Sequence, residues 1–204
     1  GGMTSVVGNE VLEVRDVDLL ASPVNFDLFR TLAGEPFPVD WQGNLFGRVK
    51  GPGGPLTRCV VTESDVTWRD AHVAGAVSRF SGSGELDILD PALTNFHGFD
   101  VNVASLDLRS IQFLFPEFPR LGGTVSGVAT LDSSWLDVRF SNADVTHRNG
   151  PGEPTRVTGS GRVTWAEEFM TYDLAVNAEP LSLDMMSRAY PLGLTGLLTG
   201  PIVA

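Results

Sequence analysis

The sequence has few of the residues that enzymes most often use for chemistry. Among its 204 residues are one cysteine, three histidines and one lysine, Lys50. A single cysteine excludes an intrachain disulfide, and no histidine lies at a metal-ligand spacing from another histidine or from the cysteine. A Gly-x-Ser-x-Gly elbow, a His-Glu-x-x-His pair and a phosphate-binding loop are all absent. These absences predict a protein that is not an enzyme and that holds no cofactor or metal ion.

Long hydrophobic runs are absent as well. No stretch of about 20 apolar residues could form a transmembrane helix. Residues 1–7 also lack the charged-then-apolar layout of a secretory signal. Because the internal repeat described below starts and stops inside a unit, we expect the chain to be a piece of a longer protein. Its sorting signal need not lie in this stretch.

Positive charge is scarce. The chain has 14 basic and 25 acidic residues, a formal net charge of −11 and a pI near 4.6. An acidic surface does not attract phosphate backbones, so we expect no nucleic acid among the partners. It also disfavours direct adhesion to anionic lipid, so any membrane contact should run through a protein or an apolar edge. The hydrophobic fraction of 42% is enough for a folded core and argues against disorder.

The feature that is most strongly present is an internal repeat. Residues 80–88 return as 157–165, which lie 77 positions later. A Gly-x-x-x-Gly motif begins at Gly43, again at Gly123 and a third time at Gly196. Together with an Asp-Val-Thr motif that also recurs, these matches keep the same order along the chain. They predict that one structural unit is stacked several times.

The matches predict one continuous β-repeat body over residues 1–204. It would hold about two and a half units, at approximately residues 8–84, 85–161 and 162–204. Each unit needs its neighbour to bury its apolar face, so the units should not be separate domains. Arrays of this kind serve as surfaces and scaffolds more often than as catalysts.

Most of the unit alternates between apolar and polar residues, which predicts half-buried strands. Clusters of glycine, proline and asparagine between the runs indicate turns between antiparallel strands. A glycine inside a strand marks a bend, a bulge or a close backbone approach. Repeated at one place in every unit, the Gly-x-x-x-Gly motif should bend the sheet along one line. We therefore predict a mainly β fold: a curved antiparallel β-repeat, trough-like or elongated.

Short helices should precede the Gly-x-x-x-Gly motifs. Apolar residues at helical spacing predict helices near residues 26–32 and 182–190, with Ser182 as the N-cap of the second. A third helix, around residues 111–115, must be short because Pro116 follows it. These helices plug the edge or end of the sheet in one interpretation. In the other they are apolar hooks for a partner.

The alternation also predicts which side chains share the apolar side of the sheet, where they would line either an open groove or a closed core. Cys59 matches Val138 in the repeat, so we interpret it as a small buried hydrophobe and not as a reactive thiol. The predicted lining residues are Cys59, Val61, Leu136, Val138, Phe140, Val163, Trp165, Leu174 and Val176.

A cluster of aromatic residues begins within the segment of residues 111–115. Phe113, Phe115 and Phe118 are interleaved with prolines, which make a long helix there unfavourable. Part of this cluster is therefore predicted to be exposed as a contact for a partner.

The sequence pattern of residues 40–49, 121–129 and 157–163 resembles that of the AsmA-like and TamB-like proteins of diderm bacteria. In each stretch a glycine motif leads into an apolar–polar strand. The resemblance implies a long periplasmic β-structure folded like a taco, with an apolar groove, anchored in the inner membrane by an N-terminal helix. It implies a role in lipid transport or in outer-membrane assembly.

Two functional hypotheses follow. In the first, the chain is a segment of such a lipid-conducting envelope protein. In the second, it is a structural accessory subunit docked on the periplasmic face of an integral membrane complex, such as a respiratory or photosynthetic one. Both place the protein outside the cytoplasm. It would be membrane-associated through a partner or through a part of the protein not in this chain. The expected partners are a membrane protein complex or envelope proteins, with phospholipid as a further candidate.

Overall fold

The chain forms one antiparallel sheet. The computed structural model describes residues 3–7, 11–33, 40–90, 93–165 and 169–204. Within these ranges eleven strands lie side by side in the order in which they occur in the chain. The strands are β1 (Met3–Val7), β2 (Val11–Asn25), β3 (Asn44–Pro55), β4 (Cys59–Arg69), β5 (Val77–Asp87), β6 (Asn95–Asp107), β7 (Thr124–Ser134), β8 (Asp137–Arg148), β9 (Thr155–Trp165), β10 (Met170–Ser182) and β11 (Leu197–Val203). The helices are α1 (Phe26–Ala33), α2 (Leu108–Leu114) and α3 (Leu183–Ala189), with a 3-10 turn at Leu56–Arg58.

Four strands and one helix make up the recurring unit. The helices connect β2 to β3, β6 to β7 and β10 to β11, so all three lie at one end of the sheet, called here the helix end. The strands that follow the helices begin at Asn44, Thr124 and Leu197, which are 80 and 73 residues apart. The boundaries expected at 84/85 and 161/162 fall inside β5 and β9, which are equivalent strands. The prediction of a curved antiparallel sheet with short helices is confirmed.

The helix starts differ from the prediction in one detail. The side chain of Asn25 accepts a hydrogen bond from the backbone N–H of Asp27, and that of Asp107 accepts one from Arg109 N–H. These are ordinary N-caps. Ser182 stands at the same position before α3, but its hydroxyl makes no cap hydrogen bond. The expectation that its side chain caps the helix is therefore wrong.

One face of the sheet is apolar and uncharged, and it is called here the apolar face. Cross-strand pairing fixes which residues share it: Val138 pairs with Val163, and Phe140 pairs with Gly161. Gly161 in turn pairs with Leu174 on the next strand. The same alternation, with the register shifts taken into account, assigns the residues of β3 to β10 to one face or the other. The described strand residues on the apolar face include no Asp, Glu, Lys or Arg.

The opposite face carries the charge. Arg79 pairs with Asp65 at 2.6 Å in the first full unit, and Arg156 pairs with Asp144 at 2.8 Å at the equivalent place in the second. A hydrogen bond from Arg162, with a further one from the Thr164 hydroxyl, lowers the pKa of Asp137 to about 2. Exposed pairs of this kind contribute little to stability. Because the charged groups remain solvated, this face stays exposed to water and the apolar face is the one that becomes buried.

The sheet curls toward its apolar face. Trp68 lies near the helix end of β4, whereas Trp135 lies in the β7–β8 turn at the other end of the sheet. On a flat sheet the two positions would be roughly 40 Å apart. Yet both ring centroids lie within 6 Å of the Trp41 ring centroid. Register shifts in most strand pairs supply the bending, because a bulge increases the local twist.

Candidate functional site

The helical connections are closed in the same way in each unit. The carbonyl of the first motif glycine accepts the N–H of the first residue of the helix before it. Gly43 accepts from Phe26 at 3.2 Å, Gly123 from Leu108 at 3.0 Å and Gly196 from Leu183 at 2.9 Å. The Gly-x-x-x-Gly motif therefore holds each helix over the end of the sheet. This gives the motif a physical role beyond bending the strand.

A side-chain hydrogen bond from the following strand, β4 or β8, joins that strand to the same connection. Trp68 Nε1 donates to the carbonyl of Gln42 at 2.8 Å. His147 occupies the equivalent position in the second unit, and its Nε2 lies 2.8 Å from the carbonyl of Gly122. A carbonyl oxygen only accepts, so Nε2 of His147 carries the proton. Tryptophan and histidine thus make the same contact in successive units.

The concave side of the curled sheet is called here the trough. Around Trp68 this trough is filled by side chains. Trp68 is 2% exposed and forms a buried cluster with Leu114 of α2. Partly buried residues from α1, β3, β5, the helical connections and the β7–β8 turn pack around that cluster: Phe26, Trp41, Leu45, Phe80, Phe115, Trp135 and Leu136. In this part of the molecule α1 and α2 therefore cover the sheet, as in the interpretation of the helices as plugs.

The apolar face opens into a cleft on β9 and β10. The cleft has a volume of about 540 Å³ and lies between β9, β10, α3 and the connection that follows α2. That volume is within the range typical of small-molecule sites. The lining residues are Phe118, Pro119, Leu121, Val163, Trp165, Met170, Tyr172, Leu174, Met186 and Tyr190.

The structure divides the predicted lining residues into three groups. Val163, Trp165 and Leu174 line the cleft. Cys59 and Val61 are buried on the first full unit's part of the apolar face, away from it. The other four predicted residues are half-buried: Val138, Phe140 and Val176 lie on the same face, and Leu136 lies in the β7–β8 turn, where it packs against the buried cluster.

The three predicted contact phenylalanines have different surroundings. Phe115 packs in the buried cluster, 5.0 Å from the Trp165 ring centroid. Phe118 lines the cleft. Phe113 is 46% exposed, and its ring stacks on His72 with a centroid distance of 3.9 Å. Of the three, Phe113 alone has a ring that is exposed to this extent, so a partner contact here would centre on it.

Sequence reasoning missed several residues of the cleft. Tyr172 follows the strand alternation and could have been included. Met186 and Tyr190 come from α3 and its C-cap, and no local sequence pattern predicts that this helix lies over β10. A second, larger cleft of about 700 Å³ includes Arg58, Glu85 and Asp132. Arg58 and Glu85 pair with each other, and Asp132 accepts the N–H of Gly98 at 2.8 Å. These charged side chains are therefore already engaged in contacts between neighbouring parts of the sheet.

Cys59 is expected to resist labelling in the native protein. The residue is 4% exposed, and burial raises the pKa of its thiol, so little thiolate forms at neutral pH. A thiol-specific reagent should label the native chain far more slowly than the chain in urea. Equal rates under the two conditions would show that this part of the apolar face opens readily.

Within the described ranges, no group of three or more His, Cys, Asp or Glu side chains is placed to hold a metal ion. No helix in those ranges has the length and apolar character needed to cross a membrane. Comparison with family models, with curated proteins and with solved structures finds no match to this chain.

Proposed function

We propose that the chain is a non-catalytic, extracytoplasmic β-scaffold whose apolar face accommodates the hydrocarbon part of a lipid. It would act as a segment of an AsmA-like or TamB-like envelope protein, in lipid transport or outer-membrane assembly. One observation carries the proposal: an apolar face without charge runs across the sheet and opens into the cleft beside Leu174. Burial of hydrocarbon there would contribute about 0.8 kcal/mol per methylene.

The expected lipid complex can be tested by native mass spectrometry with dioleoylphosphatidylethanolamine. The wild-type chain should carry lipid, and Leu174→Glu should not, because it places a charge in the cleft. Ala175→Glu is the matched control, since the neighbouring residue lies on the charged face. Circular dichroism should show the same strand signal for all three. A wild-type chain that carries no lipid at excess would refute the lipid role.

A second candidate function is supported by the filled part of the trough. If α1, α2 and the tryptophans fill the trough around Trp68, no continuous groove remains in that part of the sheet. The chain would then be a structural accessory subunit docked on the periplasmic face of an integral membrane complex. The exposed ring of Phe113 is the feature that favours such a contact.

The docking hypothesis predicts an effect at one residue. Phe113→Ser should release the chain from a membrane protein complex with which the wild type co-purifies. Phe115 and Phe118 are left unchanged because they pack in the cluster and the cleft. Phe169→Ser, at a ring that is also exposed, is the control and should leave co-purification intact. Equal loss with both variants, or with neither, would exclude Phe113 as the specific contact.

A further inference from the structure

Two hollows lie at equivalent places on the charged face of the sheet. The first is the cleft of about 700 Å³, whose lining includes Val60 and Glu85. The second has a volume of about 440 Å³, and its lining includes Arg139 and Arg162. The second pair of residues follows the first by 79 and 77 positions, which is the spacing of the repeat. Because the repeat builds the same hollow twice, a difference in lining is a difference in what each hollow can bind.

An ion pair beside each hollow is common to both units. Arg58 pairs with Glu85 in the first unit, and Arg162 pairs with Asp137 at 2.6 Å in the second. Position 58 is equivalent to position 137, so the acidic and the basic residue have exchanged places. The fold therefore needs an ion pair here but not one particular order of charges. The pair by itself gives neither hollow a function.

Arg139 is the group that the second hollow adds. Its equivalent in the first unit is Val60, so the strand does not need a charge at this position. Arg139 lies directly opposite Arg162 across β8 and β9, and like charges so placed are destabilising. Arg139 is exposed and forms no ion pair or side-chain hydrogen bond with the part of the chain that the structure describes. The fold therefore does not account for this guanidinium.

The acidic neighbours of Arg139 are turned to other partners. Asp132 stands opposite Arg139 on β7, but its Oδ1 accepts the N–H of Gly98 on β6 at 2.8 Å. The two oxygens of Asp137 accept from Nε and Nη2 of Arg162 at 2.6 and 2.7 Å. This bidentate contact fixes one edge of the Arg162 guanidinium and leaves Nη1 to donate elsewhere.

We propose that the hollow between β8 and β9 binds a phosphate group. Arg139 and Nη1 of Arg162 would donate to its oxygens, and the hydroxyl of Ser160, which lines the same hollow, would donate a third hydrogen bond. The planar guanidinium matches the spacing of phosphate oxygens. Both strands are paired on both sides within the chain, so the site does not depend on a free edge. A small phosphomonoester and a phospholipid headgroup carry this same group.

The acidic balance of the whole chain does not exclude this site. At physiological ionic strength exposed charges are screened beyond about 8 Å, so the groups within the hollow decide the local potential. Of the described residues that line this hollow, Asp173 alone is acidic, and it pairs with Arg162 in the β9–β10 register. It should weaken phosphate binding without preventing it. We therefore expect an affinity in the millimolar range for a single phosphate group.

Phosphate binding can be measured on the whole chain by nuclear magnetic resonance. Sodium phosphate is titrated into the isotope-labelled chain at constant ionic strength, and the Nε–Hε signals of the arginines are followed. The signals of Arg139 and Arg162 should shift and saturate, whereas that of Arg58 beside the first hollow should not. Shifts that grow without saturation at every arginine would reveal an adventitious ion only and would overturn the proposal.

Variants separate the site from the general charge of the face. Arg139→Gln should weaken phosphate binding roughly fivefold, the upper range for one exposed charged contact. Asp173→Asn should strengthen it, because a repelling carboxylate is removed. Arg79→Gln is the matched control: it removes the same charge from the same face, at an arginine that pairs with Asp65, and should have no effect. Equal weakening by both arginine variants, or no effect of Arg139→Gln, would contradict the proposal.

Vesicles identify the source of the phosphate. Phosphatidylglycerol vesicles are sedimented with the chain. If the headgroup is the ligand, the wild-type chain sediments with the vesicles and Arg139→Gln does not. If neither sediments while free phosphate binds, the ligand is a small phosphomonoester. If both sediment equally, the headgroup is excluded as the ligand of this hollow. The hollow lies on the face opposite the apolar cleft, so this site and the lipid role of the cleft hold or fail independently.

Discussion

Replacing Trp68 by alanine is expected to lower the free energy of unfolding by about 3–5 kcal/mol, the range for large aromatic side chains in closed cores. The indole is 2% exposed and packs against two rings from α1 and the connection that follows it, with a centroid distance of 4.9 Å to Trp41 and 6.2 Å to Phe26. The change also leaves the Gln42 carbonyl without its indole donor. Urea unfolding followed by circular dichroism measures the loss.

The repeat supplies a control for this substitution. His147 makes in the second unit the bond that Trp68 makes in the first, so Trp68→His should keep the tie to Gln42. It should lose roughly half as much stability as Trp68→Ala, because imidazole fills less of the cluster than indole does. Phe140→Ala should also cost less than Trp68→Ala, since Phe140 is only half-buried. If Trp68→Ala costs less than about 1 kcal/mol, the trough is not a closed core.

Local patterns were sufficient for the strands and for the face that each side chain occupies. Period-two alternation placed Val138, Val163 and Leu174 together, and cross-strand pairing places them on one face. Apolar spacing and proline positions predicted the helices to within a few residues, because both act within a few residues along the chain. The glycine motif marked the connections, although its carbonyl bond to the helix depends on the closed geometry.

The same patterns could not predict how the trough is filled. The contact between Trp41 and Trp135 joins residues that are far apart in sequence, and it depends on how far the sheet curls. The curl is the sum of bulges at many strand pairs, each of which shifts the register by a residue. The sequence predicts that part of the aromatic cluster is exposed, but no local pattern indicates which part: Phe115 packs against the buried cluster and Phe118 lines the cleft, whereas Phe113 is exposed. Sequence alternation reports the face of a residue but not what covers that face.

The glycine that closes the second connection gives the other large expected effect. Gly123 has a φ of +77°, and a Cβ added there would lie 2.1 Å from the carbonyl oxygen of Arg148. Backbone atoms cannot move aside as the end of a long side chain can. Gly123→Ala should therefore strain the residue, push β7 from β8 and disturb the bond from Leu108 N–H to the Gly123 carbonyl. We expect a loss of about 4 kcal/mol, among the larger effects of a single substitution.

A second glycine separates conformational strain from the clash. Gly75 has the same φ of +77°, but a Cβ there would meet no atom within 4 Å. Gly75→Ala should therefore cost only the left-handed conformation, about 1–2 kcal/mol. The difference between the two variants in urea unfolding measures the close approach of the strand to the connection. Equal losses would mean that the connection relaxes around an added methyl group, and that the motif glycine is required for its φ alone.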